Sequence, residues 1–531
     1  MPDKKDIIIG FASIAIIFLI LFFSGIYLIG DPMLRGAFIF SSTAQFITRE
    51  YPLEVSTGDI FAHAERSLFE QLDPFSFRLE RQDYDYMLEE SSGKYGGIGI
   101  SIVPRDTLLM VMAVREDGPG HTAGMKSGDL IVSVEGQPVP PDNPTQSITA
   151  IRGPAGSDLN LTIYRPAIDD TIPLTLTRSD IKLEHLTYFG LTENMAGYIR
   201  IADFESGLTE DLEEAMVELE SQEPIGYIID LKSNPGGYLD EAIDAADLFL
   251  DEDDLIVGID SRSRWRSQAF FACRTPSTSR PVVILTDRGS ASAAEIFAGA
   301  LRGAQQAVLV GDTTFGKGLV QTVYGLANSD AIRLTTSRYY FADGRYLNPP
   351  DEELNFTGLA PDLVYKDKGE IAFQELVLTG FLLYDFVDAH QDFLDIYPDN
   401  FNYPDTVITL FESFIHERGI TYRSWLTDLV DLTILDQRLT DGSDRVINEL
   451  EKLQALSEIS DQQAYRRWAD FVKFQIRRLI VERRSGRAAA YREVIVPSRD
   501  DIRLAESILT DHTVYDSLMV SSAELDSLTI Q

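Results

Sequence analysis

Cysteine is nearly missing from this 531-residue chain, which has one, Cys273. A lone thiol excludes an intrachain disulfide framework, a multi-cysteine zinc or iron–sulfur site, and a lipid-modified cysteine near the N-terminus. Histidine is scarce too: six residues, none in an HExxH pattern, so no histidine metal site is expected. Basic residues are few, 46 Lys and Arg against 84 Asp and Glu, for a formal net charge of −38. Nucleic acid is therefore not expected as a partner, because phosphate binding runs on Lys and Arg. Hydrophobic residues, at 44%, are ordinary in amount, which excludes wholesale disorder.

One long run has no charge: IIIGFASIAIIFLILFFSGIYLIG, residues 7–30. As a helix it would rise about 36 Å, against a hydrocarbon core of about 30 Å. No clean small-x-small cleavage site follows it, so the expectation is an uncleaved transmembrane anchor behind a cytoplasmic tail, residues 1–6, with a cleaved signal peptide and a buried core helix as the alternatives. Lys4 and Lys5 precede the run and Arg35 follows it, a bias that predicts an N-in, single-pass protein with the rest of the chain outside the cytoplasm.

Residues 31–92 read as helical, with DIFAHAERSLFEQL (59–72) at helical spacing and a break at Pro74. Residues 93–182 change to short β-like runs, TLLMVMAVRE, DLIVSVEG and LNLTIYRP, separated by Gly and Pro turns. Residues 183–367 alternate strand and helix signals, the rhythm of an α/β core with crossover helices. Residues 368–531 read as mostly helical, a packing or substrate-gripping domain without a clustered polar motif. The fold class expected is thus multidomain α/β: an N-terminal transmembrane helix, a β-rich module with short helices, an α/β core and a C-terminal α-helical domain.

The stretch RGSASAAEIFAGA (288–300) follows an apolar strand and opens a helix. Ser292-x-x-Glu295 fits a capping box. The same serine could be a nucleophile, with the unpaired N–H groups of the helix start stabilising an oxyanion. No histidine lies near it in sequence. The next candidate base is Lys317 in GDTTFGKGLVQ, which could serve as a neutral amine if burial depresses its pKa. If 317–321 is extended, Gln321 points to the same face and could hold that amine. Gly311-x-x-x-x-Gly316-Lys317 looks like a phosphate-binding loop, but Gly318 stands where a Ser or Thr is required and a β-like run follows, so nucleotide is not expected. A third element, DLKSNPGGYLDEA (230–242), ends a buried strand in a turn able to present backbone N–H groups at a sheet edge.

Together these residues resemble the carboxyl-terminal (tail-specific) processing proteases, PDZ-containing serine peptidases with a Ser–Lys dyad. The resemblance covers about residues 59–367 in order: LDPFSFRL, YGGIGI (95–100), AGMKSGDLIVSVEGQPV, IRGPAGSDLNLTIYR, DLKSNPGG, GSASAAE, FGKGLVQ and GLAPDLVY (358–365). It implies a PDZ domain over 93–182 and a protease core of the ClpP/crotonase type over 183–367. It implies Ser292 as nucleophile, with Ser290 as rival, Lys317 as general base and Gln321 as the residue orienting the lysine. The backbone N–H groups of Gly237 and Ala293 take the oxyanion hole, with a slip of one residue open at the glycine turn. Gly97, Ile98 and Gly99 take the PDZ loop that receives a substrate's C-terminal carboxylate. The implied activity is endopeptidase cleavage of protein substrates with accessible C-terminal tails, through an acyl-enzyme and without a cofactor. The implied setting is a bacterial periplasm or cell surface, with the membrane as partner through the N-terminal helix. Lys232 replaces the family's usual arginine, which matters little if its side chain faces solvent. The competing reading is an inactive, membrane-tethered PDZ scaffold or ligand-binding protein on the same fold.

Overall fold

A computed structural model describes residues 31–528 except 91–93, 106, 116–117, 142, 183, 263, 328, 349–356, 367–380, 395–402 and 441–442. Among these residues no helix is long and apolar enough to cross a membrane. The helices of 19 residues or more, Pro32–Glu50, Asp444–Gln462 and Ala469–Ala490, carry charged and polar side chains along their length. The expected anchor at 7–30 lies outside the described residues. The fold class is corrected to multidomain α/β with no transmembrane helix supported. The single-pass location outside the cytoplasm, which required that helix as its anchor, is not supported either.

The chain divides into two compact units, residues up to Arg81 with Gln321–Thr335, and Gln82–Val320 with Thr336–Gln531. In the first, helix α1 (Pro32–Glu50) is capped by Asp31, whose carboxylate accepts the Met33 and Leu34 N–H groups. Helix α2 (Thr57–Phe69) follows, and Phe61 meets Phe40 of α1 edge-to-face. The chain past Pro74 is not helical throughout: strand β1 (Phe77–Leu79) pairs antiparallel with Ala331–Arg333. Arg78, on β1, is held between Glu65 and Asp330.

The second unit begins with a β-rich module. Strand β2 (Lys94–Gly97) pairs with β8 (Ser179–Lys182). Between them lies a sheet in the order β3 (Ile100–Arg105), β4 (Leu108–Val114), β5 (Leu130–Val134), β6 (Asp158–Arg165), β7 (Asp170–Thr177). Helix α3 (Pro144–Ile151), which the sequence reading misses, closes its core with Ile151 beside Leu109, Val111, Leu159 and Leu161. Strand β3 is an edge of this sheet, and among the described residues no strand pairs with its outer side, which leaves it open to addition of another strand.

The α/β core is a six-stranded sheet in the order β9 (Leu186–Leu191), β10 (Gly197–Ile201), β11 (Tyr227–Asp230), β13 (Val282–Thr286), β14 (Ala307–Gly311), β17 (Leu363–Val364). It is parallel from β10 onward, and β9 runs antiparallel at one edge. YIID, VVILT and AVLVG are buried at every position, as strands covered on both faces must be. One face carries α4 (Leu208–Glu220), α5 (Leu239–Asp247) and α6 (Ala293–Gly303), packed through Leu212, Met216, Ala245 and Phe297. The other is covered by the C-terminal helix α10 (Asp500–Thr510), whose Ile502, Ala505, Ile508 and Leu509 pack on Tyr198, Ile228, Val283 and Val308. Strand β12 (Leu255–Ser261) pairs with Ser337–Tyr340 of β16 (Ala331–Tyr340), which follows β15 (Leu319–Gly325).

The remaining helices, including α7 (Leu382–Ala389), α8 (Thr406–Glu417) and α9 (Ala469–Ala490), share a core of Phe386, Phe411, Ile415, Val472 and Ile476. They are joined to the β-rich module by Arg105–Asp385 at 2.7 Å. Lys232 does not face solvent. Its side chain is 14% exposed and its ammonium lies 3.0 Å from Asp501 of α10.

Candidate active site

Three turns meet at the N-terminus of α6. Ser292 sits at the N-cap with φ 55° and ψ −115°, a left-handed conformation that costs a non-glycine residue energy. The Glu295 half of the capping box is the 2.9 Å bond from the Ser292 N–H to the Glu295 carboxylate, while the Glu295 N–H bonds the Ser292 backbone carbonyl and leaves the serine hydroxyl out of the cap. The cap and nucleophile readings are therefore compatible.

Glu295 does more than cap. Its carboxylate is fully buried and also accepts the Gly316 N–H and the Lys317 N–H, each at 2.8 Å, and the Thr314 hydroxyl. One side chain thus ties the serine turn to the lysine loop. Burial pushes its carboxyl above the usual range, partly offset by bonds from Thr314 and the three N–H groups. Tyr339 adds a second tie: its buried hydroxyl donates to the Lys317 carbonyl and lies 3.4 Å from the Ser292 carbonyl. Lys317 itself is partly buried in a coil just before β15. Because a strand and not a helix follows, the structure also lacks the frame of a phosphate-binding loop.

The SNPGG turn is the third part. Asn234 is buried and bonds to both sides: its Nδ2 donates to the Ile201 carbonyl at 3.0 Å, and its backbone carbonyl accepts the Ala291 N–H at 2.9 Å. Gly236 has φ 96°, and a Cβ there would stand 2.8 Å from the Ser292 Cβ and 2.9 Å from the Ala293 nitrogen, so only glycine fits. The Gly236 N–H is used on the Asn234 side chain at 2.8 Å. Among the described residues, the N–H groups of Gly237 and Ala293 have no acceptor. This geometry favours Gly237 over its neighbour as a donor to a bound oxygen.

Ser290 is placed otherwise. It is fully buried, its hydroxyl donates to the Leu231 carbonyl at 2.8 Å, and it accepts the Asp287 N–H at 3.0 Å. Gln321 belongs to the other compact unit, where its amide donates to the Thr335 hydroxyl at 3.3 Å.

Behind the turn, Asp230, itself fully buried, closes β11 in an ionic cluster. It accepts Tyr198 at 2.7 Å, Arg200 at 2.6 Å and Arg499 at 2.5 Å, and the Lys232 N–H at 3.0 Å. Burial alone would raise its carboxyl, but Arg499 and Arg200 overcome this and hold it well below the usual range. Glu295, Tyr339 and Arg499 escape the sequence reading; only Glu295 left a signal, as half of a capping box.

In the β-rich module Gly97, Ile98 and Gly99 are buried at the mouth of a groove of about 310 Å³, lined also by Ile100, Ile102, Ile148 and Ile151. Among the described residues the N–H groups of Ile98 and Gly99 have no acceptor. A strand laid along β3 would reach them with its C-terminus.

Both regions match known protein families. Residues 195–365 match the profile described as Peptidase family S41, and residues 110–165 match that of a PDZ domain. The chain is 34% identical over 298 residues to a carboxy-terminal-processing protease of Bartonella bacilliformis, covering 55% of this chain and 66% of the relative. It is 30% identical over 336 residues to the carboxy-terminal processing protease CtpB of Bacillus subtilis, covering 62% and 69%. It is 31% identical over 309 residues to a carboxyl-terminal-processing protease of Synechocystis sp., covering 57% and 70%. The chain therefore belongs to peptidase family S41, the PDZ-containing carboxyl-terminal-processing serine proteases.

Proposed function

We propose that this protease cleaves with Ser292 as nucleophile and Lys317 as general base. The observation that carries the reading is the Glu295 carboxylate, which accepts a backbone N–H from each of the two residues. It fixes serine turn and lysine loop together, the positioning a nucleophile and its base require. Lys317, as a neutral amine, takes the Ser292 proton while the serine oxygen attacks the scissile carbonyl. The N–H groups of Gly237 and Ala293 receive the oxyanion, the amine leaves with the proton, and water hydrolyses the acyl-enzyme. Gln321 keeps a lysine-orienting part only as the family resemblance implies, since its amide donates to the Thr335 hydroxyl.

Substrates are proteins presenting a free C-terminal tail. The tail's carboxylate goes to the N–H groups of Gly97, Ile98 and Gly99, and its last side chain to the isoleucine-lined groove, which favours an apolar residue. A serine-directed fluorophosphonate tests the dyad: wild type should be labelled at Ser292 and Lys317→Ala labelled at least about a hundredfold more slowly. Labelling at Ser290, or equal rates in the two proteins, would overturn the assignment.

A further inference from the structure

A second groove, of about 1200 Å³, lies between the PDZ module, the edge strand β9 and the C-terminal end of α9. Its floor includes Leu186, Thr187, Tyr188 and Phe189. Strand β9 ends its sheet, and among the described residues no strand pairs with its outer edge. Such an edge offers a row of backbone donors and acceptors to an incoming extended chain.

The walls are basic, in a protein with nearly twice as many acidic as basic residues. Six Lys and Arg side chains line the groove against three Glu. Some are engaged: Arg483 pairs with Asp388 at 2.6 Å and Arg492 with Glu493 at 3.0 Å. Lys126 and Arg487 are exposed and have no ion-pair partner among the described residues. With 84 carboxylates available, cations left unpaired around an open strand edge mark a surface suited to an acidic chain. Arg487 owes its place to a break in α9: Gly486 has φ 83° and ψ 172°, values no helix contains.

We infer that this groove binds an extended acidic segment of a substrate polypeptide, which adds as a strand to the free edge of β9 with its carboxylates toward Lys126 and Arg487. The site adjoins the PDZ carboxylate loop, sharing Gly99 with it, and needs no free C-terminus.

The test is backbone amide exchange on the full-length chain with a twelve-residue peptide of alternating Glu and Thr, blocked at both ends so that the PDZ loop cannot hold it. The peptide should slow exchange at residues 186–189, and an alternating Lys–Thr peptide should not. The variant Lys126→Glu/Arg487→Glu should lose that protection, with binding at least about tenfold weaker. Exchange at 227–230 should be unchanged, showing that the core is intact. Equal protection by both peptides, no protection by the Glu–Thr peptide, or full protection in the double variant would overturn the inference. So would protection at 186–189 that grows with protein concentration alone, since a second copy of this chain would then be the occupant. Failure of the PDZ reading leaves all these outcomes unaltered, because the blocked peptide carries no terminal carboxylate.

Discussion

Glu295 holds Lys317 by a 2.8 Å bond from the lysine's backbone N–H while holding the Ser292 N–H at 2.9 Å. Two residues 25 positions apart in sequence are thereby fixed to one buried carboxylate. Replacing Glu295 with Gln sets an amide NH2 against N–H and O–H donors. Glu295→Gln should lower stability by about 1–3 kcal/mol and kcat by about a hundredfold. Denaturant unfolding and steady-state kinetics check it. A variant with normal kcat would remove Glu295 from the positioning role.

Ser290 and Ser292 separate by what their hydroxyls touch. Since the Ser290 hydroxyl bonds the Leu231 carbonyl, Ser290→Ala should cost about 1 kcal/mol of stability and leave cleavage within a few-fold of wild type. Loss of cleavage with unchanged stability would make Ser290 the nucleophile.

Arg499 joins the C-terminal segment to the strand that ends in the SNPGG turn. Its removal leaves Asp230 buried with one cation fewer, so Arg499→Met should destabilise by about 3 kcal/mol. The pH dependence has a definite sign. Asp230 has its carboxyl lowered in the folded state, so its contribution is fully present above the unfolded value of about 3.9 and is lost as pH falls toward the native value. The stability gap between wild type and Asp230→Asn should therefore be constant near neutrality and shrink below about pH 4. A gap that widens there would contradict the cluster.

The PDZ groove makes a prediction about ends. A peptide with an apolar last residue should bind at least about tenfold more tightly with a free carboxylate than as the amide. Calorimetry checks this, and equal affinities would remove the Gly97–Gly99 loop from tail recognition.

What the sequence reveals follows from range. Apolar runs such as YIID and VVILT, and the glycine turns beside them, declare an α/β core because the signal is local. The PDZ strands show for the same reason. Helix α3 does not, because PTQSITAI runs only eight residues, too few for a helical period to stand out. Long-range pairs are silent: Lys232 reads as a surface lysine, yet its partner Asp501 comes 269 positions later. Helix α10 as cover for the second face of the core sheet is hidden likewise. Glu295 is legible as a cap, but its bonds to Gly316 and Lys317 need the fold. For Gln321 the spacing points to Lys317 and is silent on Thr335, whose hydroxyl its amide meets across the β15–β16 turn.

The central claim is the Ser292–Lys317 dyad, and cleavage measures it most directly. The substrate is a loosely folded protein with an apolar C-terminal tail, incubated with wild type, Ser292→Ala and Lys317→Ala. Wild type should cut it, and both variants should be inactive, slower by about a thousandfold or more, while still binding the tail. Full cleavage by either variant would contradict the dyad.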